Sequence, residues 1–163
     1  MDRPNTDAYL PQNFTLIIDN LRDVTYNCQS VTFPGVSGGV ATTPTPFQNL
    51  NFSGTSYNHE PLSANIILNE DLTSFTSLVK WIKNRTISNS FGDYVKQQDG
   101  DIGITSSATL QFYTSANRRF KAATFTDLFP VSVGGFTVST EVTGTVPVIV
   151  FPVVFEYQTC ELD

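Results

Sequence analysis

Any catalysis in this 163-residue chain would have to start at His59, its single histidine. A nucleophilic triad needs the imidazole beside a hydroxyl or thiol and an orienting carboxylate. The residues around His59 offer no arrangement of that kind, and a lone histidine next to the Pro61 turn reads as structural. The G-x-S-x-G elbow, the GxxxxGK[ST] phosphate loop and any CxxC pair are all missing. Asp99-Gly100-Asp101 places two carboxylates close together, but without the regular oxygen-ligand spacing of a calcium loop, so a solvated turn is expected. Glu70 and Asp71 are adjacent, so on a helix they point in different directions and make no acid–base pair. No enzyme activity, metal or cofactor is expected.

Composition narrows the classes further. Hydrophobic residues make up 40% of the chain and charged residues only 15%, with Ser, Thr, Asn and Gln left to fill the solvent-facing positions. A sparsely charged surface of this kind suits contact with other protein and equally suits an ordinary β-rich domain. The net charge of −6 and a pI near 4.6 oppose a phosphate-binding face, because nucleic-acid binding rests on clustered Lys and Arg. Arg118, Arg119 and Lys121 come closest to a cluster. The N-terminal residues have no apolar signal-peptide core, and no run of 18 apolar residues could span a membrane. The expectation is a protein made in a cytoplasm, or assembled there into something that leaves. Cys28 and Cys160 then read as buried free thiols in preference to a disulfide.

The chain is organised around one strand and one helix, the two stretches that carry strong periodicity. Leu62, Ala64, Ile66 and Leu68 alternate with polar neighbours, the period-2 pattern of a strand with one buried face. Asn69 can then cap a helix over about 70–84, with Glu70 and Asp71 at its positive end and Lys80, Lys83 and Arg85 at or just past its negative end. Leu72, Phe75, Leu78, Val79 and Ile82 form its apolar stripe, with Trp81 beside Leu78. Elsewhere strands are expected. Phe14–Asp19 and Thr25–Phe33 flank an Asn20–Asp23 turn and predict a hairpin.

Residues 35–58 are different. Gly35, Gly38, Gly39, Pro44, Pro46 and Gly54 break up a run of small and hydroxylated residues carrying Phe47, Phe52 and Tyr57. Too few apolar neighbours accompany those rings to make a separate core, so a long arm that packs on something else is expected. Residues 86–107 also lack periodicity and carry Phe91, Tyr94, Asp99 and Asp101; structureless stretches of that length are functional or disordered. Strands follow at Ala108–Phe112 and Arg118–Leu128, the second with a parity switch that suggests a bulge. A short strand over Thr137–Glu141 comes next. The last strand, Val146–Tyr157, is apolar on both faces. Pro147 and Pro152 within it predict an edge or bulged strand, and an edge so apolar would need a covering neighbour.

The order of these pieces resembles the tail tube proteins of contractile-tailed bacteriophages of the T-even-like myophage type. The resemblance runs from about Phe14 to Glu161. It is carried by TYNCQSVTFPG (Thr25 to Gly35), by SANIILNEDLTSFTSLVKWI (Ser63 to Ile82), and by FTDLFPVSVGG (Phe125 to Gly135) followed by VVFEYQT. The 35–58 and 86–107 segments do not match.

What the resemblance implies is one tail-tube domain over 1–163: mainly β, a sandwich or barrel with one flanking helix and a long inter-subunit arm or hairpin. Hexameric rings would stack into a hollow tube, with the 35–58 arm on the neighbouring subunit and Phe91, Tyr94, Asp99 and Asp101 in an inter-ring loop. A tail sheath protein would lie outside, with baseplate and tail terminator proteins at the ends. DNA would pass through the lumen without specific binding, and the place of action would be the virion, after assembly in the host cytoplasm. The alternatives are a baseplate tube initiator or secretion-system tube protein of the same fold. A different class is a monomeric carbohydrate- or protein-binding β-sandwich using Tyr9, Tyr57, Tyr94 and Tyr113.

Overall fold

The computed structural model describes residues 13–19, 21–86, 103–114, 116–140, 144 and 148–163, leaving aside the side chains of Arg22 and Asp23. It is mainly β. The elements are β1 (Phe14–Ile18), α1 (Arg22–Asn27), β2 (Cys28–Thr32), β3 (Val36–Pro44), β4 (Asn49–His59) and β5 (Leu62–Ile67), then α2 (Thr73–Thr86), β6 (Ser106–Tyr113), β7 (Arg119–Val133), β8 (Val150–Glu156) and β9 (Thr159–Leu162). The larger sheet runs β1-β6-β7-β8-β5-β2, with β9 added on β7, and β3-β4 form a separate pair.

β7 is the hinge of the sheet. Its first half lies between β6 and β9, and its second half pairs with β8. Asp127, with φ +52°, sits where the pairing changes hands. The sheet therefore rolls up, β1 approaches β2, and the inward faces enclose the core. Leu16, Ile18, Leu62, Ile66, Leu110, Phe125, Phe151 and Phe155 are all buried there. Inward Leu62, Ala64 and Ile66 alternate with Ser63, Asn65 and Ile67 on the other face of β5, as the period-2 pattern requires.

The expected β1–β2 hairpin does not form. β1 pairs antiparallel with β6 (Phe14↔Phe112) and β2 with β5 (Thr32↔Ser63). Between them α1 takes residues that alternation had placed in a turn and a strand. Leu21 and Val24 stand three apart, so a helical turn puts both in the core while Tyr26 stays exposed.

The main helix begins later than the sequence suggests. Asn69 starts a turn in which the Leu72 amide donates to the Asn69 carbonyl at 3.0 Å, and α2 begins at Thr73. Glu70 and Asp71 are exposed before the helix and do not sit in its first turn. Leu72 is a correction: it is exposed, and it adopts φ +52°, a conformation that costs a leucine on the order of 1–2 kcal/mol. Buried positions are Ser74, Leu78 and Trp81, with Phe75, Val79 and Ile82 half-buried. The buried line is thus rotated towards Trp81. The indole N–H donates to the Gly103 and Ile104 carbonyls at 3.0 and 3.3 Å, tying the helix to the chain entering β6. Phe75 meets Phe136 and Phe151 edge-on.

The C-terminal expectations change most. β8 is a central strand, flanked by β5 and β7. Pro152 is tolerated there because its carbonyl accepts from Gly134 at 2.7 Å, just past the end of β7. Its missing N–H faces that same side, where no ladder continues. A Cβ on Gly134 would lie 2.5 Å from Pro152 Cγ, so only glycine allows this approach. Residues 137–140 form no strand, and Glu141 lies outside the described residues. The strand expected over Arg118–Leu128 runs on through Phe129 and Pro130 to Val133. β9 was not anticipated.

Cys28 and Cys160 are free and half-buried. Burial pushes the Cys28 thiol up to about 11 and raises Cys160 as well, so both stay protonated and unreactive at neutral pH. Among the described residues no helix is long and apolar enough to cross a membrane.

Candidate assembly interface

His59, the histidine considered for chemistry, is the last residue of β4. Its ring stacks on Tyr157 at 4.5 Å and 22°, and Nδ1 makes no hydrogen bond. An imidazole held against a phenol ring with no orienting acceptor is not set up as a general base. Among the described residues, no group of three or more His, Cys, Asp or Glu could hold a metal ion. Asp99 and Asp101 lie outside the described residues.

What His59 anchors is the arm. β3 and β4 run nine and eleven residues and pair only with each other. At roughly 3.4 Å per residue the tip stands about 30 Å from the root. The root is fastened in three ways. The Glu60 amide donates to the Gly35 carbonyl at 2.9 Å, the Gly35 amide donates to the Glu60 carboxylate at 3.3 Å, and the Tyr157 hydroxyl donates to the Glu60 carbonyl at 3.0 Å. Burial, with smaller contributions from neighbouring Cys160, Tyr57, Glu156 and Glu60, pushes the Tyr157 phenol up to about 12, which keeps that donor protonated. At the tip, Thr45 closes the turn: its amide donates to the Gln48 carbonyl at 3.0 Å, its hydroxyl donates to the same oxygen, and it accepts from the Gln48 amide.

Midway along the arm the register shifts between Gly38 and Val40. There the two backbones nearly touch: a Cβ on Gly54 would lie 2.7 Å from the Gly39 carbonyl carbon. Gly38 has open space around it. Pro44 ends β3, and Pro46 and Phe47 occupy the tip. Phe47 is 98% exposed; Val40, Tyr57, Val36 and Phe52 are each more than half exposed, and Leu50 is also exposed. No Asp, Glu, Lys or Arg occurs between Val36 and Asn58. A two-stranded ribbon in water is marginal at best, and this one displays large apolar side chains with no charge to keep them solvated. Such a surface is built to be covered.

The inter-ring candidates Phe91 and Tyr94 lie outside the described residues. The end of that segment is tied to the helix, since the Gly103 and Ile104 carbonyls accept the Trp81 N–H. Of the four tyrosines that could have made a binding platform, Tyr9 and Tyr94 also lie outside. Tyr57 stands on the arm and Tyr113 on β6, its hydroxyl donating to Gln111 at 2.9 Å; they are on different sheets. Sequence reasoning missed an apolar groove at the arm's end of the barrel, lined by Phe112, Phe120, Lys121 and Leu162. The β6–β7 register slips beside it, between Phe112↔Lys121 and Tyr113↔Arg119, whereas the parity switch between Ala122 and Ala123 carries no shift.

No protein-family model and no curated protein sequence matches this chain. Solved structures do. The chain is similar to one in the sheath/tube terminator of an extracellular contractile injection system, PVC, in the extended state, with TM-score 0.67 and 9% identity over 97% of this chain and 99% of that one. Against the PVC sheath-tube complex the TM-score is 0.65, with 9% identity over 98% and 93% of the two chains. Against the anti-feeding prophage baseplate it is 0.58, with 12% identity over 99% and 97%. The fold is tail-tube-like. These likenesses extend over almost the whole of each chain, so barrel and arm are compared together.

Proposed function

We propose that this chain, 1–163 as a single tail-tube domain, is a structural subunit that closes into hexameric rings and stacks into the hollow inner tube of a contractile phage tail. One observation carries the reading: an uncharged, apolar, fully displayed arm projects from a tail-tube-like barrel. A subunit acting alone has no use for such an arm, whereas a ring gives each arm a neighbour to lie on. The 86–107 segment is the proposed contact between rings.

The cargo reading is DNA that passes without binding. Six copies at −6 each carry −36 per ring, a charge that opposes phosphate adhesion wherever it faces the lumen. A sheath protein outside, with baseplate and terminator proteins at the ends, completes the assembly, made in the host cytoplasm and carried in the virion. A second reading has support from the likeness to a terminator structure, at TM-score 0.67 beside 0.65 for a sheath-tube structure. In it the subunit caps or initiates a tube, or serves an injection system without DNA cargo.

Negative-stain microscopy of the purified chain decides. Hollow rods of indefinite length support the tube subunit. Rings that never elongate support a cap or initiator. A monomer at high concentration overturns both.

A further inference from the structure

The arm meets the barrel at a short column of aromatic rings. His59 stacks on Tyr157 with 4.5 Å between centroids and 22° between planes, and Tyr57 lies 6.4 Å from it at a tilt. Tyr157 in turn meets the fully buried Phe125 edge-on at 4.9 Å. The rings run from an exposed position on the arm into the core. The two bonds between Gly35 and Glu60 tie the arm's strands to each other. Tyr157 holds them to the barrel, through the stack and through its hydroxyl on the Glu60 carbonyl.

We propose that this stack is a proton-sensitive latch: His59 locks the arm to the barrel while its ring is neutral and releases it when the ring is protonated. A single chain would show the latch whether or not it builds tubes. His59 Nδ1 is buried and has no hydrogen-bond partner among the described residues. In a neutral ring that atom can be a bare acceptor, a modest loss. In the imidazolium it becomes a charged N–H donor, and leaving such a donor buried without an acceptor is far costlier. The Tyr157 face attracts a cation, but the N–H lies in the imidazole plane and cannot point at a ring stacked on it.

The ionisable neighbours supply no acceptor without cost. The Glu60 carboxylate already accepts the Gly35 amide at 3.3 Å, so turning to His59 would undo the root. Tyr57 on β4, Glu156 at the end of β8 and Cys160 on β9 are the other ionisable groups that act on Tyr157. Glu156 stands on the face of β8 opposite Phe155. β3 and β5 carry no ionisable residue. Protonation therefore sets an unanswered buried charge against a broken stack, and the ring turns out to water. Histidine takes up its proton as pH falls from about 7 towards 5, so the lock is complete above that range and lost through it.

The test uses the full chain with Cys28→Ser and Cys160→Ser, carrying nitroxide labels on Phe47→Cys at the arm tip and Lys83→Cys on α2, kept dilute enough to stay single. Pulsed electron resonance at about pH 7.5 is expected to give one narrow tip-to-helix distance, and at about pH 5 a broad distribution. His59→Phe, which keeps a stacked ring without the proton, should stay narrow at both; His59→Ala should be broad at both. A narrow distance at pH 5 with His59 in place would overturn the latch. Acid broadening that persists in His59→Phe would assign the response to Glu60 or Glu156 and overturn it too. A broad distribution in His59→Phe at neutral pH would show that the stack is not the lock. Far-ultraviolet circular dichroism should stay unchanged between the two pH values; a barrel that melts at pH 5 would make the response global and refute the proposal.

Discussion

The barrel and the arm are made from one chain but by opposite means. In the barrel, alternating apolar residues of β5, β6 and β8 point into a shared interior and are buried there. In the arm, side chains on both faces meet solvent, and the ribbon is held by its ladder, its Thr45 turn and its root at Glu60. Burial makes the barrel stable by itself. The arm's side chains gain that stabilisation only when another surface covers them, so its contribution depends on concentration. Folding and assembly are accordingly separable, and mutations should sort into those that melt the barrel and those that only keep copies apart.

The largest expected effect is on assembly. Deleting Gly38 to Phe52 should leave the barrel folded, with its thermal midpoint nearly unchanged, and abolish rings and rods in the microscope. Normal rods from the deletion would erase the distinction between the two regions. Trp81→Ala should act the other way, lowering barrel stability by about 3–5 kcal/mol in a urea titration, since it removes a buried ring and its two carbonyl contacts. Leu78→Ala should follow at about 2–5 kcal/mol, whereas Leu72→Ala should stay within about 1 kcal/mol. Equal losses at 72 and 78 would mean that the helix is not seated by Trp81.

Smaller effects sharpen the boundary. Gly54→Ala forces a Cβ into the Gly39 backbone, so it should impair assembly while circular dichroism reports an intact barrel. The root has an alkaline signature. Tyr157 ionises near 12 in the fold against an ordinary value of 10, so above about pH 10 the unfolded chain loses this proton first. Stability from this group is complete below that point and declines as pH rises from 10 towards 12. Tyr157→Phe should flatten that part of the pH–stability curve, at a cost of about 1 kcal/mol for the bond to Glu60.

How far the chain could be read depended on what each segment touches. The strand Leu62–Ile67 and the helix after it were legible because each buries one face, and burial writes a period into the sequence. The arm was legible for the opposite reason: glycines, prolines and stranded aromatics without a period. Leu72 misled because an apolar residue at helical spacing can still belong to the preceding turn. Pro152 misled because a proline excludes a strand from a sheet's middle only if a neighbour needs its amide, and β7 ends just short of it. The Asn20–Asp23 turn and the start of the Thr25–Phe33 strand misled because α1 takes Arg22–Asn27, while β1 and β2 have distant partners.

The residues alone pointed to the class of the molecule: mainly β, sparsely charged, and carrying a segment unable to make its own core. Local physics suffices for that, since periodicity, turn chemistry and missing charge are properties of neighbours along the chain. The partners of β1 and β2, the central place of β8, the addition of β9 and the groove beside Phe33 were decided by the tertiary fold. Those features depend on contacts between residues far apart in sequence, which no local pattern encodes.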